Sequence, residues 1–333
     1  MGNISVFCKT CNTKLLRNGF DARGRQRYRC PHCGTSCFRY RNTTNTDLFH
    51  LFRYYVLEGL TYRQLQVISG YSISTLQTAF QGYLDTVQKD TVHPAQMKEP
   101  IVLLLDGLWF GRSFVVMAYR SSQSLKIIRI STGVKELKSI IKKDLLHISA
   151  EGYCVSGIVS DGGKPILGAL QYVYPTTPHQ VCLAHMHRSL ISSIGKYPHE
   201  YCVQLLKRLS DMVWWVHTKK QQYAWYTLVT FWQERYHEYV DARRMDTEGV
   251  WWYIHKGVRR ALRTMESIYE NSFTFIDYPH LPRTTNQIEA QFGHLGKRFL
   301  AHRGLRNTRW DSFLKWFVFF YNEKIDEREK NAL

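Results

Sequence analysis

The chain has 333 residues, 44% of them hydrophobic and 22% charged, with a formal net charge of +18. It is long enough for two or three domains and a sizeable core, and its basic excess calls for a polyanionic partner. No apolar run reaches the ~18 residues of a membrane span and no apolar leader follows Met1, so the partner expected is nucleic acid rather than a membrane, in a cytoplasmic, nucleoid-associated setting. For eight cysteines in such a setting, thiols serving metal or core are expected rather than disulfides.

Residues 1–42 open with Cys8-Lys-Thr-Cys11 and Cys30-Pro-His-Cys33, two pairs separated by 18 residues. Each pair can fold as a tight knuckle with both sulfurs on one ion, so Cys8, Cys11, Cys30 and Cys33 are the candidate ligands of a structural Zn²⁺ in a zinc ribbon. The intervening stretch is basic, with Arg17, Arg23, Arg25, Arg27 and Arg29. Residues 43–90 carry a helix-turn-helix pattern. Thr61 and Gln64 form a capping box, Gly70 ends that helix, and Ser72 or Ser74 starts the next. Ser74, Thr75, Gln77, Thr78 and Gln81 are the polar candidates for groove contacts on this last helix. A polar connector ends at Pro100.

From 101 the pattern changes to strands. Ile101–Leu105 is an unbroken apolar run ending at Asp106, which reads as a strand buried on both faces with a carboxylate at its end. Two further strands, 113–120 and 124–131, follow as a hairpin. A helix over 134–149 comes next, then a buried strand ending at Asp161 before Gly162-Gly163, a helix over 164–174, and a strand from His179. Residues 190–279 read as mostly helical and hold Trp214, Trp215, Trp225, Trp232, Trp251 and Trp252, with core packing the main expectation and base stacking the alternative for one or two. Thr284 or Thr285 caps a helix carrying Glu289, and a strongly apolar helix closes the chain. Glu136 and Asp144 are placed on a solvated helix face.

Asp106, Asp161 and Glu289 are the candidate catalytic acids. Phosphodiester chemistry with two Mg²⁺ (or Mn²⁺) ions, about 3.5–4 Å apart, requires such a set, because hard cations take oxygen ligands. The sequence resembles the DDE transposases of the bacterial insertion-sequence and Mutator-like superfamily. Asp106 follows an apolar strand, Asp161 lies in Ser-Asp-Gly-Gly, Cys182-Leu-Ala-His185 lies downstream, and Glu289 sits in Thr-Thr-Asn-Gln-Ile-Glu with His-Arg-Gly-Leu at 302–305. The 127 residues between Asp161 and Glu289 match that superfamily's helical insertion.

The resemblance implies an α/β, ribonuclease-H-like catalytic domain (100–189 and 280–328) interrupted by a helical insertion (190–279). It is preceded by the zinc ribbon (1–42) and a helical DNA-binding domain (43–90). It further implies binding of terminal inverted repeats, metal-dependent strand cleavage and transfer to target DNA, and a homodimer or higher oligomer. Cys182, His185, Asn286, Lys297, Arg298 and Arg303 are candidates for a structural role or for DNA contact, with metal binding at Cys182 and His185 left open. Two other readings stay open: a domesticated DNA-binding regulator that has lost catalysis, and a nuclease or resolvase of the same fold without strand transfer.

Overall fold

The structure is a computed structural model. It describes residues 7–8, 10–20, 26–38, 45–86, 99–110, 114–289, 293, 295–296, 302, 305 and 309–332. The chain divides into two compact units, 1–81 and 82–333.

The first unit contains a small antiparallel sheet, β1 (Leu16–Phe20), β2 (Gln26–Arg29) and β3 (Ser36–Phe38). Three helices follow: α1 (Asn45–Glu58), α2 (Tyr62–Ser69) and α3 (Ile73–Asp85), the last of which runs on into the second unit. The capping box is present. Gln64 N donates to Thr61 Oγ1 at 3.4 Å and Thr61 N donates to Gln64 Oε1 at 2.8 Å. Gly70 ends α2 with φ +69°, a left-handed conformation that costs other residues more. Ser72 is the cap of α3, accepting from Thr75 N at 3.1 Å. Phe52, Val56, Leu65, Leu76 and Phe80 are fully buried between these helices.

The second unit is built on a five-stranded mixed sheet with strands β4 (Ile101–Phe110), β5 (Phe114–Ser121), β6 (Ile127–Gly133), β7 (Val155–Ser160) and β8 (His179–Val181). Their order is β6-β5-β4-β7-β8. The first three pair antiparallel, whereas β4, β7 and β8 pair parallel. Helices α4 (Lys138–Ala150) and α5 (Lys164–Val173) make the crossovers. This topology is consistent with a ribonuclease-H-like fold. Ile101, Leu103 and Leu105 alternate onto the face covered by α4 and α5, where they meet Ile141, Leu145, Ile148 and Ile166. Val102 and Leu104 are also fully buried, so both faces of β4 are covered, as the unbroken apolar run requires. The long helix α11 (Trp310–Ala332) is fixed to the edge strand β6. Asn322 accepts from Ile127 N and donates to Ile127 O, both at 2.9 Å.

Helices α6 (Leu183–Ile194), α7 (Tyr201–Asp211), α8 (Lys219–Arg235), α9 (His237–Asp241) and α10 (Lys256–Asn271) form a second cluster with a core of its own. Trp225 and Trp232 are core residues whose indoles donate to Leu209 O and Cys202 O. Among these helices β9 (Arg243–Met245) and β10 (Trp251–Tyr253) form an antiparallel hairpin before α10. One expectation needs correction here: Asp144 is not solvated. It is 2% exposed and accepts from Tyr119 Oη at 3.0 Å and Arg129 Nε at 2.6 Å. It sits on the apolar face of α4, one turn from Ile141 and from Ile148, and the paired cation is what makes its burial affordable. Among the described residues, no helix is long and apolar enough to cross a membrane.

Replacing Asp144 by Ala removes the shared acceptor of Tyr119 and Arg129, and should cost about 3 kcal/mol. The expected readout is a lower urea midpoint for unfolding of the second unit. An unchanged midpoint would contradict the assignment of this triad as a stabilising buried pair.

Candidate active site and metal cluster

Two groups of side chains gather around places that suit metal ions. In the first unit, the four ligand atoms of Cys8, Cys11, Cys30 and Cys33 all lie within 4.8 Å of one another. Cys8 Sγ is 3.5 Å from Cys33 Sγ and Cys11 Sγ is 3.4 Å from Cys30 Sγ. A tetrahedral ion with bonds of about 2.3 Å needs sulfur–sulfur edges of about 3.8 Å, so the quartet is close to the size Zn²⁺ requires.

The two knuckles are built alike. Each reads Cys-x-x-Cys-x-Thr, and Asn12 (φ +54°) and Gly34 (φ +68°) take the same left-handed turn after the second cysteine. The Thr13 hydroxyl and amide pull Cys11 down to about 6. Cys30 goes the other way, up to about 11. Its backbone contact with Cys33 favours the thiolate, but burial and the neighbouring Cys11 thiol outweigh that. Four thiolates this close need a cation to coexist, and the donor set is the one zinc takes.

The second group lies at the C-terminal ends of the parallel strands. The strand does not end at Asp106 as expected, because pairing with β5 carries β4 on to Phe110; the parallel register with β7 ends at Leu104 and Val159, and the charge of Asp161, just past β7, reaches Asp106. Asp106 is 4% exposed, and Gly107 N donates to its Oδ1 at 2.9 Å. Burial pushes this carboxyl up to about 7; the charges of Asp161 and Glu289 push the same way, while His185 and the Gly107 amide oppose them. Asp161 Oδ1 accepts from Gly163 N at 2.9 Å. Gly162 takes φ +77° beside Val181, which a side chain there would strike.

Glu289 enters from the segment before α11. A helical turn over 286–289 starts at Thr285, whose carbonyl accepts from Ile288 N and Glu289 N. Arg188 holds the Glu289 carboxylate from both oxygens, with Nη1 donating to Oε2 at 3.0 Å, and His185 Nδ1 lies 3.6 Å from Oε1. Ligand atoms of Cys182, His185 and Glu289 lie within 4.8 Å of one another; the three acids do not form such a group.

Cys182 is fully buried and accepts from Thr285 N at 3.2 Å and Thr285 Oγ1 at 3.3 Å. Burial favours its thiol, but hydrogen bonds from His185 and Thr285 outweigh it and lower the pKa. Burial also disfavours charged His185, yet Cys182 and Asp106 raise it. His187 is engaged elsewhere, 3.0 Å from Asp211.

Two residues that sequence reading passed over belong here. Arg188 follows His185 at i+3 on α6, a spacing that puts the two on one side of the helix, and Cys182 is the residue that caps its start. Glu136 lies before α4, not on it, and is half-buried. Its Oε1 accepts from Trp109 Nε1 at 2.8 Å and would lie 2.5 Å from a Cβ at position 107, so the glycine there leaves it room. Burial raises its pKa, with Asp161 adding and Trp109 opposing.

Asn286 is exposed, its amide donating to Thr284 Oγ1 at 3.4 Å. Lys297, Arg298 and Arg303 lie outside the described residues. On α3, Gln77, Thr78 and Gln81 are exposed, whereas the exposed Ser74 and Thr75 spend their hydroxyls on Ser72, each at 2.8 Å.

No protein-family model matches this sequence, and no curated protein does. Among solved structures, the chain has a TM-score of 0.20 and 10% identity to one in a simian T-cell lymphotropic virus intasome in complex with PP2A regulatory subunit B56 gamma. The match covers 46% of this chain and 66% of that one. A likeness this slight has no bearing on fold or chemistry.

Stripping metal from the cysteine quartet, with a thiol-competent chelator or by Cys30→Ser, should expose residues 7–38 to proteolysis while the melting of the second unit stays put. Unchanged protection of residues 7–38 would contradict a metal-dependent first unit.

Proposed function

We propose that the protein is a DNA strand-cutting and strand-joining enzyme of the DDE transposase kind, acting on the ends of a mobile element and on target DNA. The observation that carries this reading is Asp106: a buried carboxylate within the central strand β4, just past its parallel pairing with β7, and within electrostatic reach of Asp161, Glu289 and His185. Convergent oxygen donors on a site that resists its own negative charge fit hard divalent cations. Asp106, Asp161 and Glu289 would hold Mg²⁺ or Mn²⁺, which when bound activates the attacking oxygen and stabilises the leaving one.

The chain's own groups supply the rest. His185 and Arg188 put positive charge beside Glu289, which would attract a phosphodiester to it. Glu136, held by the Trp109 indole, adds a fourth carboxylate within electrostatic reach of Asp161. The basic excess provides affinity for the duplex through counterion release, and Gln77, Thr78 and Gln81 on α3 are the groups that would read bases in the major groove. The cysteine quartet would hold structural Zn²⁺. Joining two ends implies at least two copies of the chain.

One observation favours a second reading, a DNA-binding regulator without strand chemistry. Glu289 is engaged by Arg188 and grouped with Cys182 and His185 rather than with the two aspartates.

Purified protein with Mg²⁺ should nick and join DNA carrying the inverted repeats that flank its gene. Asp106→Asn should reduce cleavage by roughly 100-fold or more with DNA binding intact, and Glu136→Gln by roughly 10-fold, the smaller loss expected of a group that acts through its charge. No cleavage by the unaltered protein would support the regulator, and full cleavage by Asp106→Asn would remove Asp106 from the site.

A further inference from the structure

No residue of the β9–β10 hairpin belongs to the hydrophobic core of the insertion or packs against it. A two-stranded ribbon is marginal by itself in water, and this one is braced at its base. The Tyr253 ring lies 3.6 Å from the Arg259 guanidinium and 4.6 Å from that of Arg243, and Arg243 Nη2 donates to Tyr253 Oη at 2.6 Å. Arg259 is itself paired with Asp241, and His255 stacks on Tyr239 at 3.6 Å. The tip is closed by Asp246, whose Oδ1 accepts from Glu248 N at 2.9 Å and Val250 N at 2.8 Å, with Gly249 in the left-handed region at φ +79°. The arm is therefore stiffened at both ends.

Its apolar residues are largely open to solvent. Trp251 is 62% exposed, Val250 57%, Met245 51% and Trp252 39%. Met245 stands opposite Trp251 and Arg244 opposite Trp252, and opposed residues share a face, so each face of the ribbon carries one indole. Between residues 243 and 263 there are six basic side chains against two acidic ones. Lys256 Nζ lies 5.6 Å from the Trp252 ring.

An exposed apolar patch of this kind marks an interaction surface, and its charge selects a polyanion. The flat indoles narrow the choice further. In a duplex each base face is covered by its neighbour, so a tryptophan in a groove meets only edges and sugars; an unpaired base offers a whole face.

We propose that the β9–β10 arm binds an unpaired DNA strand, with Trp251 and Trp252 stacking on bases and Arg243, Arg244 and Lys256 holding phosphates. This rests on the nucleic-acid part of the function proposed above and not on its metal chemistry. In that function it would grip the strand freed when a duplex end opens.

The full-length chain, without added divalent metal, is titrated with a labelled twelve-residue oligothymidine and with an abasic strand of equal length and charge. Oligothymidine should bind more tightly than the abasic strand. Trp251→Ala with Trp252→Ala should weaken oligothymidine binding by roughly 5- to 100-fold and erase the preference, and phenylalanine at both positions should restore most of it. Arg243→Ala with Arg244→Ala should weaken both strands and flatten the salt slope by about 1.4. Equal affinity of the unaltered chain for the two strands would overturn the proposal, as would unchanged oligothymidine affinity in the double tryptophan variant. If that variant instead loses binding to phosphatidylglycerol vesicles, or self-association in sedimentation, while still binding oligothymidine, the arm serves another partner and the proposal fails. A chain that binds oligothymidine as expected but never cuts DNA refutes the strand chemistry and leaves this inference standing.

Discussion

The structure is organised by the cost of burying one carboxylate. Asp106 is 4% exposed, and ionising it there sacrifices several kcal/mol of hydration. One backbone amide and the nearby charge of His185 return only part of that, and the carboxyl stays well above the usual range. A stable core would replace such a residue with an apolar one. Here the fold does the reverse, leaving the charges of Asp161 and Glu289 within reach of the buried carboxyl. A cation held between them is the function proposed for that arrangement.

The geometry that gathers them is set by ordinary packing. Parallel pairing of β4 with β7 brings Asp106 within electrostatic reach of Asp161. Glu289 is fixed by a different route, through groups that clamp its segment. Arg120, 3% exposed at the far end of β5, donates from Nη1 to Gln287 O at 2.6 Å and from Nε to Leu125 O at 2.9 Å. Cys182 accepts from Thr285, and Leu183 N donates to Arg283 O at 3.0 Å. Arg283 in turn donates to the carbonyls of Val213, Trp214 and Val216. Helix α6 begins at the site with Cys182 and ends in the insertion core with Leu190 and Ile194. The insertion is thus joined to the acid it separates in sequence, and a shift of α6 would carry His185 and Arg188 with it.

Much of this was legible in the residues, wherever the signal is local. The apolar run before Asp106 can only be a strand covered on both faces. The paired cysteines, the Thr61–Gln64 box and the stop at Gly70 each span a few residues and appear as expected. What was missed depended on distant partners. Asp144 looks like surface charge until Arg129 and Tyr119 are brought across from the sheet, although its place between Ile141 and Ile148 hinted at burial. Glu136 looked like part of α4 because the helix start at Lys138 carries no side-chain cap to mark it. The Trp-Trp-Tyr run lies in a stretch that reads as mostly helical; the Asp-Thr-Glu-Gly turn before it was the available clue to a hairpin. Arg188 gave no signal beyond its spacing from His185.

The central claim is that Asp106 is buried where it is in order to hold a divalent cation together with Asp161 and Glu289. Its most direct test is Mn²⁺ titration of the full-length chain followed by electron paramagnetic resonance. The account predicts up to two bound ions per chain, lost in Asp106→Asn while zinc content is unchanged. Absence of Mn²⁺ binding at millimolar metal, or equal binding by Asp106→Asn, would contradict it.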